Sequence, residues 1–156
     1  MQGGIMDDLF KKALAFVLAR EGGYVNDSDD RGGATNKGIT QRTYDGWLKS
    51  KGLQHKDVKN ITNDEVAEIY YKNYWLKAGC NKMSKVFAVI SFDTAVNMGV
   101  GRVKQFLQYA EYKEPDKFLF ARIAKYREFA KVPRQSKFLK GWLNRVNALR
   151  EFIKTV

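Results

Sequence analysis

The chain has 156 residues, 44% of them hydrophobic and 13% aromatic, which is enough for one domain with a substantial core. Its formal net charge of +11 predicts an anionic partner, and nucleic acid, anionic lipid and cell-wall polymers all fit this charge. The single cysteine, Cys80, excludes an intramolecular disulfide, and with one histidine a structural zinc site is not expected. We predict that Cys80 is a small buried hydrophobe and that the protein uses no cofactor and no metal.

No recognisable signal peptide begins the chain, because no stretch there combines a positive segment, an apolar run and a small-residue cleavage site. The apolar runs are well below the ~20 residues that span a bilayer. We therefore expect a monomeric protein that is made in the cytoplasm and does not insert into membranes. Action at the cell wall or in the periplasm would require release or export.

The first predicted element is an amphipathic helix over 7–21, with Glu21 at the end of its apolar face. Gly22 and Gly23 are predicted to end it, because glycine adopts the left-handed cap conformation without steric cost. A loop with a possible short hairpin is predicted over 22–40. The result is an unusual concentration of carboxylates and glycines directly behind an apolar helix.

The middle of the chain carries clear helix-start signals. Thr40 is a predicted N-cap for a helix over about 41–51. The segment "TNDE" at 62–65 is a capping box and opens a helix that runs to about Trp75. Residues 84–98 are apolar on nearly all sides, which predicts a buried central helix.

Three further helices are predicted, near 102–110, from Pro115 to about Ala130, and over about 136–153. The fold class is therefore all-α. The tryptophans of the chain lie on helical stripes, which favours the core over a sugar-binding platform: Trp47, Trp75 and Trp142.

The last predicted helix has an apolar stripe and a basic side. Its stripe carries Phe138, Trp142, Val146 and Leu149. Opposite the stripe we place three basic residues, Lys140, Arg145 and Arg150. These form either a wall-binding face or an ordinary solvated surface.

Glu21 is the first candidate for catalysis. Its carboxyl is expected to emerge beside aliphatic groups at a helix C-terminus, where desolvation and the helix dipole both raise a carboxyl pKa. A carboxyl that stays protonated near neutral pH is what a general acid needs. The alternative is a glutamate at a frayed helix end, paired with a lysine.

Asp30 follows Glu21 by nine positions, and Thr35 follows Asp30 by five. A glycine-rich turn between them allows the aspartate to fold back, and two carboxyls across a cleft suit glycoside hydrolysis. Because the loop is expected to leave room for a water, we predict inversion, with Asp30 activating the water and Thr35 holding it. Asp27 and Asp29 compete for this role, and solvated or turn-capping aspartates are the alternative reading of both.

The segment "EGGYVND…DRGGATNKGIT" resembles the signature of glycoside hydrolase family 108, the lysozyme-like muramidases. Later segments, "FDTAVNMGVGRVKQFLQ" and "FLKGWLNRVNALREF", resemble the C-terminal region of these proteins, usually described as a predicted peptidoglycan-binding region. Members occur as phage endolysins and as bacterial proteins, some of them labelled secretion activators.

The resemblance implies a lysozyme-like helical fold and bacterial peptidoglycan as the partner. It also implies hydrolysis of the β-1,4 bond between N-acetylmuramic acid and N-acetylglucosamine, with Glu21 as the catalytic glutamate. Asp30 and Thr35 match a Glu–Asp–Thr order found in phage lysozymes of another family, although the Asp–Thr spacing there is one residue longer. Within a single unit over 1–156, the catalytic part is expected at about 8–85 and the binding part at about 86–153.

Three further side chains are candidates for the site. Tyr24 is predicted either to stack on a sugar ring or to pack as a lid. Asp93 and Asn97 lie four residues apart on an otherwise apolar helix, so both need polar partners. For Asp93 we favour a structural role, whereas Asn97 could either brace the helix or bind an N-acetyl group.

A non-catalytic peptidoglycan-binding or secretion-accessory protein is the main alternative to a muramidase. A binding module does not require a glutamate in a half-desolvated position, which favours the enzyme. Specific nucleic-acid binding is not expected, because neither a helix-turn-helix nor an aromatic-basic pattern accompanies the positive charge.

Overall fold

The structure is a computed structural model that describes residues 7–26 and 33–156. Asp27, Asp29 and Asp30 lie outside the described residues, so the predictions made for them remain predictions.

The predicted all-α architecture with one short hairpin is confirmed. The α-helices are α1 (Asp8–Leu18), α2 (Gln41–Ser50), α3 (Asn63–Tyr70), α4 (Lys85–Met98), α5 (Val100–Tyr109), α6 (Pro115–Phe129) and α7 (Leu139–Ile153). A π-helical segment, Tyr71–Leu76, continues α3, and short 3-10 segments occupy Val58–Asn60, Cys80–Lys82 and Pro133–Phe138. The hairpin consists of β1 (Thr35–Asn36) and β2 (Ile39–Thr40). No helix in the described part of the chain is long and apolar enough to cross a membrane.

The predicted helix starts are confirmed by their hydrogen bonds. The Thr40 hydroxyl accepts a bond of 3.0 Å from the N–H of Thr43 at the start of α2. At α3, the Thr62 hydroxyl accepts from the Glu65 N–H at 3.1 Å, and the Glu65 carboxylate accepts from the Thr62 N–H at 2.9 Å. These reciprocal bonds satisfy N–H groups that a helix leaves unpaired at its start.

Helix α4 lies at the centre of the core, where every residue from Phe87 to Ala95 is buried. It packs against α1, α5, α6 and α7, and aromatic rings of α1 and α4 are in contact. Phe10 meets Trp75 and Phe92 edge-to-face at 5.3 and 5.5 Å between ring centroids. Cys80 is buried as predicted, and burial raises the pKa of its thiol to about 12.

The end of α1 differs from the prediction. The helix ends at Leu18, Ala19 caps it in a right-handed conformation, and neither Gly22 nor Gly23 has a positive φ. Glu21 therefore lies just beyond the helix. Its N–H still donates to the Val17 carbonyl at 3.1 Å, which keeps one further turn of chain in place.

The hairpin turn is formed by Lys37 and Gly38, whose φ angles are 52° and 79°. Two central residues with positive φ are typical of the type I′ turn, whose twist matches that of paired strands. Val25 adds a third short segment, because its N–H and carbonyl pair with Thr35 at 2.8 and 2.7 Å. This pairing holds Val25, four residues after Glu21, against the first strand of the hairpin.

Candidate active site

Glu21 lies against the turn of the hairpin. A Cβ atom placed on Gly38 would lie 3.1 Å from Cγ and 3.2 Å from Cδ of Glu21, and it would collide with the hydroxyl of Tyr70. The Glu21 side chain is 22% exposed, so it contacts both the protein interior and solvent. Such a position lets a carboxyl meet a substrate while its stem is held by the fold.

Two tyrosines border the Glu21 carboxyl. The hydroxyl of Tyr70 donates a hydrogen bond of 2.7 Å to the carbonyl of Lys37, which joins α3 to the hairpin turn. Burial, and then the negative charge of Glu21, raise the pKa of Tyr70. The same two causes raise the pKa of Tyr74. Both phenols therefore stay protonated near neutral pH.

We expect G38A to destabilise the hairpin and to reduce activity. The added methyl group would force the Tyr70 hydroxyl or the Glu21 side chain to move, and φ at this position is +79°. The left-handed conformation alone costs a non-glycine residue about 1–2 kcal/mol.

G79A is the matched control, because Gly79 has φ +80° and no neighbour within 4 Å of an added Cβ. Thermal unfolding and wall hydrolysis are measured for both variants. G38A should lose more stability than G79A and also lose activity. Equal losses in the two variants would show that the close approach of Gly38 to Glu21 is unimportant.

Arg145 reaches the site from α7. Its Nη1 atom is 3.6 Å from Oε1 of Glu21, an electrostatic contact longer than a hydrogen bond. The Arg145 side chain is only 10% exposed. The predicted placement of Arg145 on a solvated or wall-binding face is therefore wrong, whereas Lys140 on the same helix is exposed.

Asp93 holds Arg145 from the other side. Its Oδ1 accepts from Nε and Nη2 of Arg145 at 3.1 and 2.9 Å, and its Oδ2 is 2.7 Å from Nη1 of Arg122. Burial alone would raise the pKa of Asp93, but the two guanidiniums outweigh it and hold this pKa below its ordinary value. The structural role favoured for Asp93 is confirmed.

Arg122 extends this buried network. Its Nη1 and Nε donate to the hydroxyls of Thr94 and Tyr126, each at 3.0 Å, and the Tyr126 hydroxyl donates to Oδ1 of Asn97. Its Nη2 is buried and has no hydrogen-bond partner among the described residues. Asn97 thus braces α4 against α6 through its carbonyl, and a role in substrate binding remains a prediction.

The other predicted site residues lie around the hairpin. Thr35 is half-buried in β1, opposite Thr40. Tyr24 is 39% exposed, and Nζ of Lys59 lies 5.6 Å from the centre of its ring. The structure brings Glu21 and the hairpin that carries Thr35 together, and the catalytic and sugar-binding roles remain predictions.

All three tryptophans were predicted to belong to the core, and they are buried to different extents. Trp75 is 1% exposed and belongs to the core, as predicted. Trp142 stacks on Tyr126 at 5.0 Å, and Trp47 is partly buried. Phe138 was expected on the buried stripe of the last helix, but it precedes α7 and is 49% exposed.

Arg145, like Tyr70 and Tyr74, is a site residue that sequence patterns missed. It lies 52 positions from Asp93 along the chain, so local spacing could not reveal the pairing. The available signal was indirect: a buried aspartate on an apolar helix requires a cationic partner.

Comparison with known proteins identifies the family of the chain. The model of the family described as glycosyl hydrolase 108 matches residues 14–99, which is more than half of the chain and includes Glu21 and the hairpin. Among solved structures, that of Brucella abortus SagA matches with a TM-score of 0.71 and 28% identity, covering 91% of each chain. No curated protein matches the chain. By its family match, the chain belongs to the glycosyl hydrolase 108 family.

Proposed function

We propose that the protein is a muramidase that cleaves the β-1,4 bond between N-acetylmuramic acid and N-acetylglucosamine, with Glu21 as the general acid. Family membership supports hydrolysis of peptidoglycan. The observation that carries the finer proposal is the position of Glu21, a partly exposed carboxyl fixed between the hairpin turn, Tyr70 and Arg145.

In the proposed reaction, Glu21 donates its proton to the glycosidic oxygen as the bond from that oxygen to C1 of the muramic acid breaks. A water then adds to C1 and passes its proton to Asp30, so that the muramic acid becomes the new reducing end. Thr35, on the hairpin, helps to hold this water. Tyr24 and Asn97 are the proposed contacts to the sugars.

The charge of the protein fits this substrate. The net charge of +11 complements the anionic polymers of bacterial walls. We place the site of action at the cell wall or in the periplasm, reached after release or export.

Digestion of purified peptidoglycan, followed by mass spectrometry of the fragments, tests the proposal. New reducing ends on muramic acid are expected. Anhydro-muramic ends would instead indicate a lytic transglycosylase, and cut peptides an amidase or peptidase. Wall binding without any fragment would indicate a non-catalytic binding or secretion-accessory protein.

We expect D30N to reduce hydrolysis strongly and D27N, its control in the same loop, to have little effect. Inversion requires about 6.5–9.5 Å between the two carboxyls, which leaves room for a water between the second carboxyl and the sugar. NMR of the first-formed reducing sugar reports the stereochemistry. An α-anomer from the β-linked chain agrees with inversion, whereas a β-anomer means retention and contradicts this role for Asp30.

A further inference from the structure

We propose that Arg145 is a positioning residue for Glu21: it fixes the carboxyl at the scissile bond and stabilises the negative charge that Glu21 acquires on giving up its proton. This inference rests on the proposed function. It assigns a catalytic contribution to α7, which lies outside the segment matched by the family model.

The first support is the direction of the Arg145 guanidinium. Its Nε and Nη2 atoms both donate to Asp93, so the planar group cannot rotate without losing those bonds. The remaining nitrogen, Nη1, is left facing Oε1 of Glu21 at 3.6 Å. A rigid donor slightly beyond hydrogen-bonding distance can tighten when charge develops on its acceptor.

The second support is the charge balance of the network. Asp93 carries one negative charge and lies between two guanidiniums, those of Arg122 and Arg145, whose side chains are 0% and 10% exposed. Without Glu21, this buried group has one positive charge in excess. A Glu21 carboxylate neutralises the excess, so the network favours the state of Glu21 that forms during proton transfer.

The third support is the pKa of Arg145 itself. Burial lowers it, but Asp93 and then Glu21 outweigh burial and raise it overall. The guanidinium therefore remains charged throughout the reaction.

A purely structural role for Arg145 predicts different behaviour. It would tie α7 to α4 through Asp93 and affect stability without affecting the chemical step. The two roles are separated by measuring kcat, KM and the pH dependence of activity well below the unfolding temperature. The charged and titratable groups around Glu21 and Arg145 belong to several elements: Tyr70, Tyr74, Asp93, Arg122 and Tyr126.

The experiment compares R145M, R145K and the control R127M on a soluble, uncrosslinked glycan chain from peptidoglycan. Arg127 is exposed in the last turn of α6 and forms no ion pair among the described residues. For R145M we expect kcat to fall about 10- to 100-fold with KM within about threefold, because the lost interaction strengthens in the transition state. Loss of a nearby positive charge favours the protonated form of a carboxyl, so the alkaline limb of the pH–activity profile should move to higher pH.

R145K should recover part of the lost kcat, since lysine keeps the positive charge but lacks the guanidinium that binds Asp93 through two nitrogens. R127M should behave like the wild type. If R145M is folded and keeps both wild-type kcat and an unshifted alkaline limb, the inference is overturned. If R145M does not fold, R145K decides: a lowered kcat with unchanged KM supports the inference, and a wild-type kcat overturns it.

E21Q is assayed in parallel to distinguish failure of the proposed function from failure of the role assigned to Arg145. If the wild type is inactive, or E21Q turns over like the wild type, the proposed function fails. If E21Q is inactive and R145M is unaffected, only the role of Arg145 fails.

Discussion

E21Q is expected to abolish wall hydrolysis while leaving the fold intact. The amide has nearly the shape of the carboxyl, so the packing against Gly38 and Tyr70 should survive. It carries no acidic proton, and loss of general acid catalysis costs about 10²–10⁴-fold. Turbidity loss of a wall suspension and release of reducing ends report the activity, and circular dichroism with thermal unfolding reports the fold.

The control for this prediction is E151Q. Glu151 is a highly exposed glutamate of α7, and within the described residues its one ion pair is with Lys154, three residues away. E151Q should match the wild type in both activity and stability. Turnover by E21Q at the wild-type rate, from a preparation free of other hydrolases, would remove Glu21 from the mechanism.

D93N is expected to give the largest loss of stability, about 3–5 kcal/mol, because removing one member of a buried ion network leaves the others uncompensated. Arg122 would lose the carboxylate 2.7 Å from its Nη1, and Arg145 would lose the bidentate partner that fixes its direction. Urea unfolding at neutral pH measures the loss. Activity should fall with it, since Arg145 would no longer be held towards Glu21.

The pH dependence of stability gives a second test of Asp93. Its pKa in the folded protein is lowered, so its contribution is fully present above the unfolded value of about 3.9. The contribution is lost as the pH falls below that value and through the folded-state pKa. The difference in free energy of unfolding between the wild type and D93N should therefore become smaller as the pH falls below about 4.

D45N is the control for D93N. Asp45 forms an exposed pair with His55 at 3.0 Å, and exposed pairs contribute about 0–1 kcal/mol. A loss in D93N no greater than in D45N would show that the buried network contributes little to stability.

Local signals explain why the sequence predicted most of the helices. The cap at Thr40 and the capping box at Thr62 and Glu65 depend on neighbours within three residues, and both form as predicted. The buried central helix could be predicted because residues 85–98 have almost no polar side. The C-terminal end of α1 could not be predicted correctly, because a pair of glycines permits a left-handed cap without requiring one.

The site was only partly predictable for a different reason. Glu21 was identified from its position behind an apolar helix and from the motif around it. Its neighbours Tyr70 and Arg145 come from α3 and α7, and their contacts to the hairpin turn and to Asp93 are tertiary. The helical pattern was interpreted as placing Arg145 opposite the apolar stripe, because a pattern based on hydrophobicity carries no signal for a buried ionic partner.

The central claim is that Glu21 acts directly on the glycosidic bond. A crystal structure of E21Q with a bound glycan of alternating N-acetylglucosamine and N-acetylmuramic acid tests it most directly. We predict that a glycosidic oxygen on the C1 side of a muramic acid lies within about 2.6–3.2 Å of the amide at position 21. A glycan that occupies a defined site with every glycosidic oxygen well beyond hydrogen-bonding reach of that amide would contradict the account.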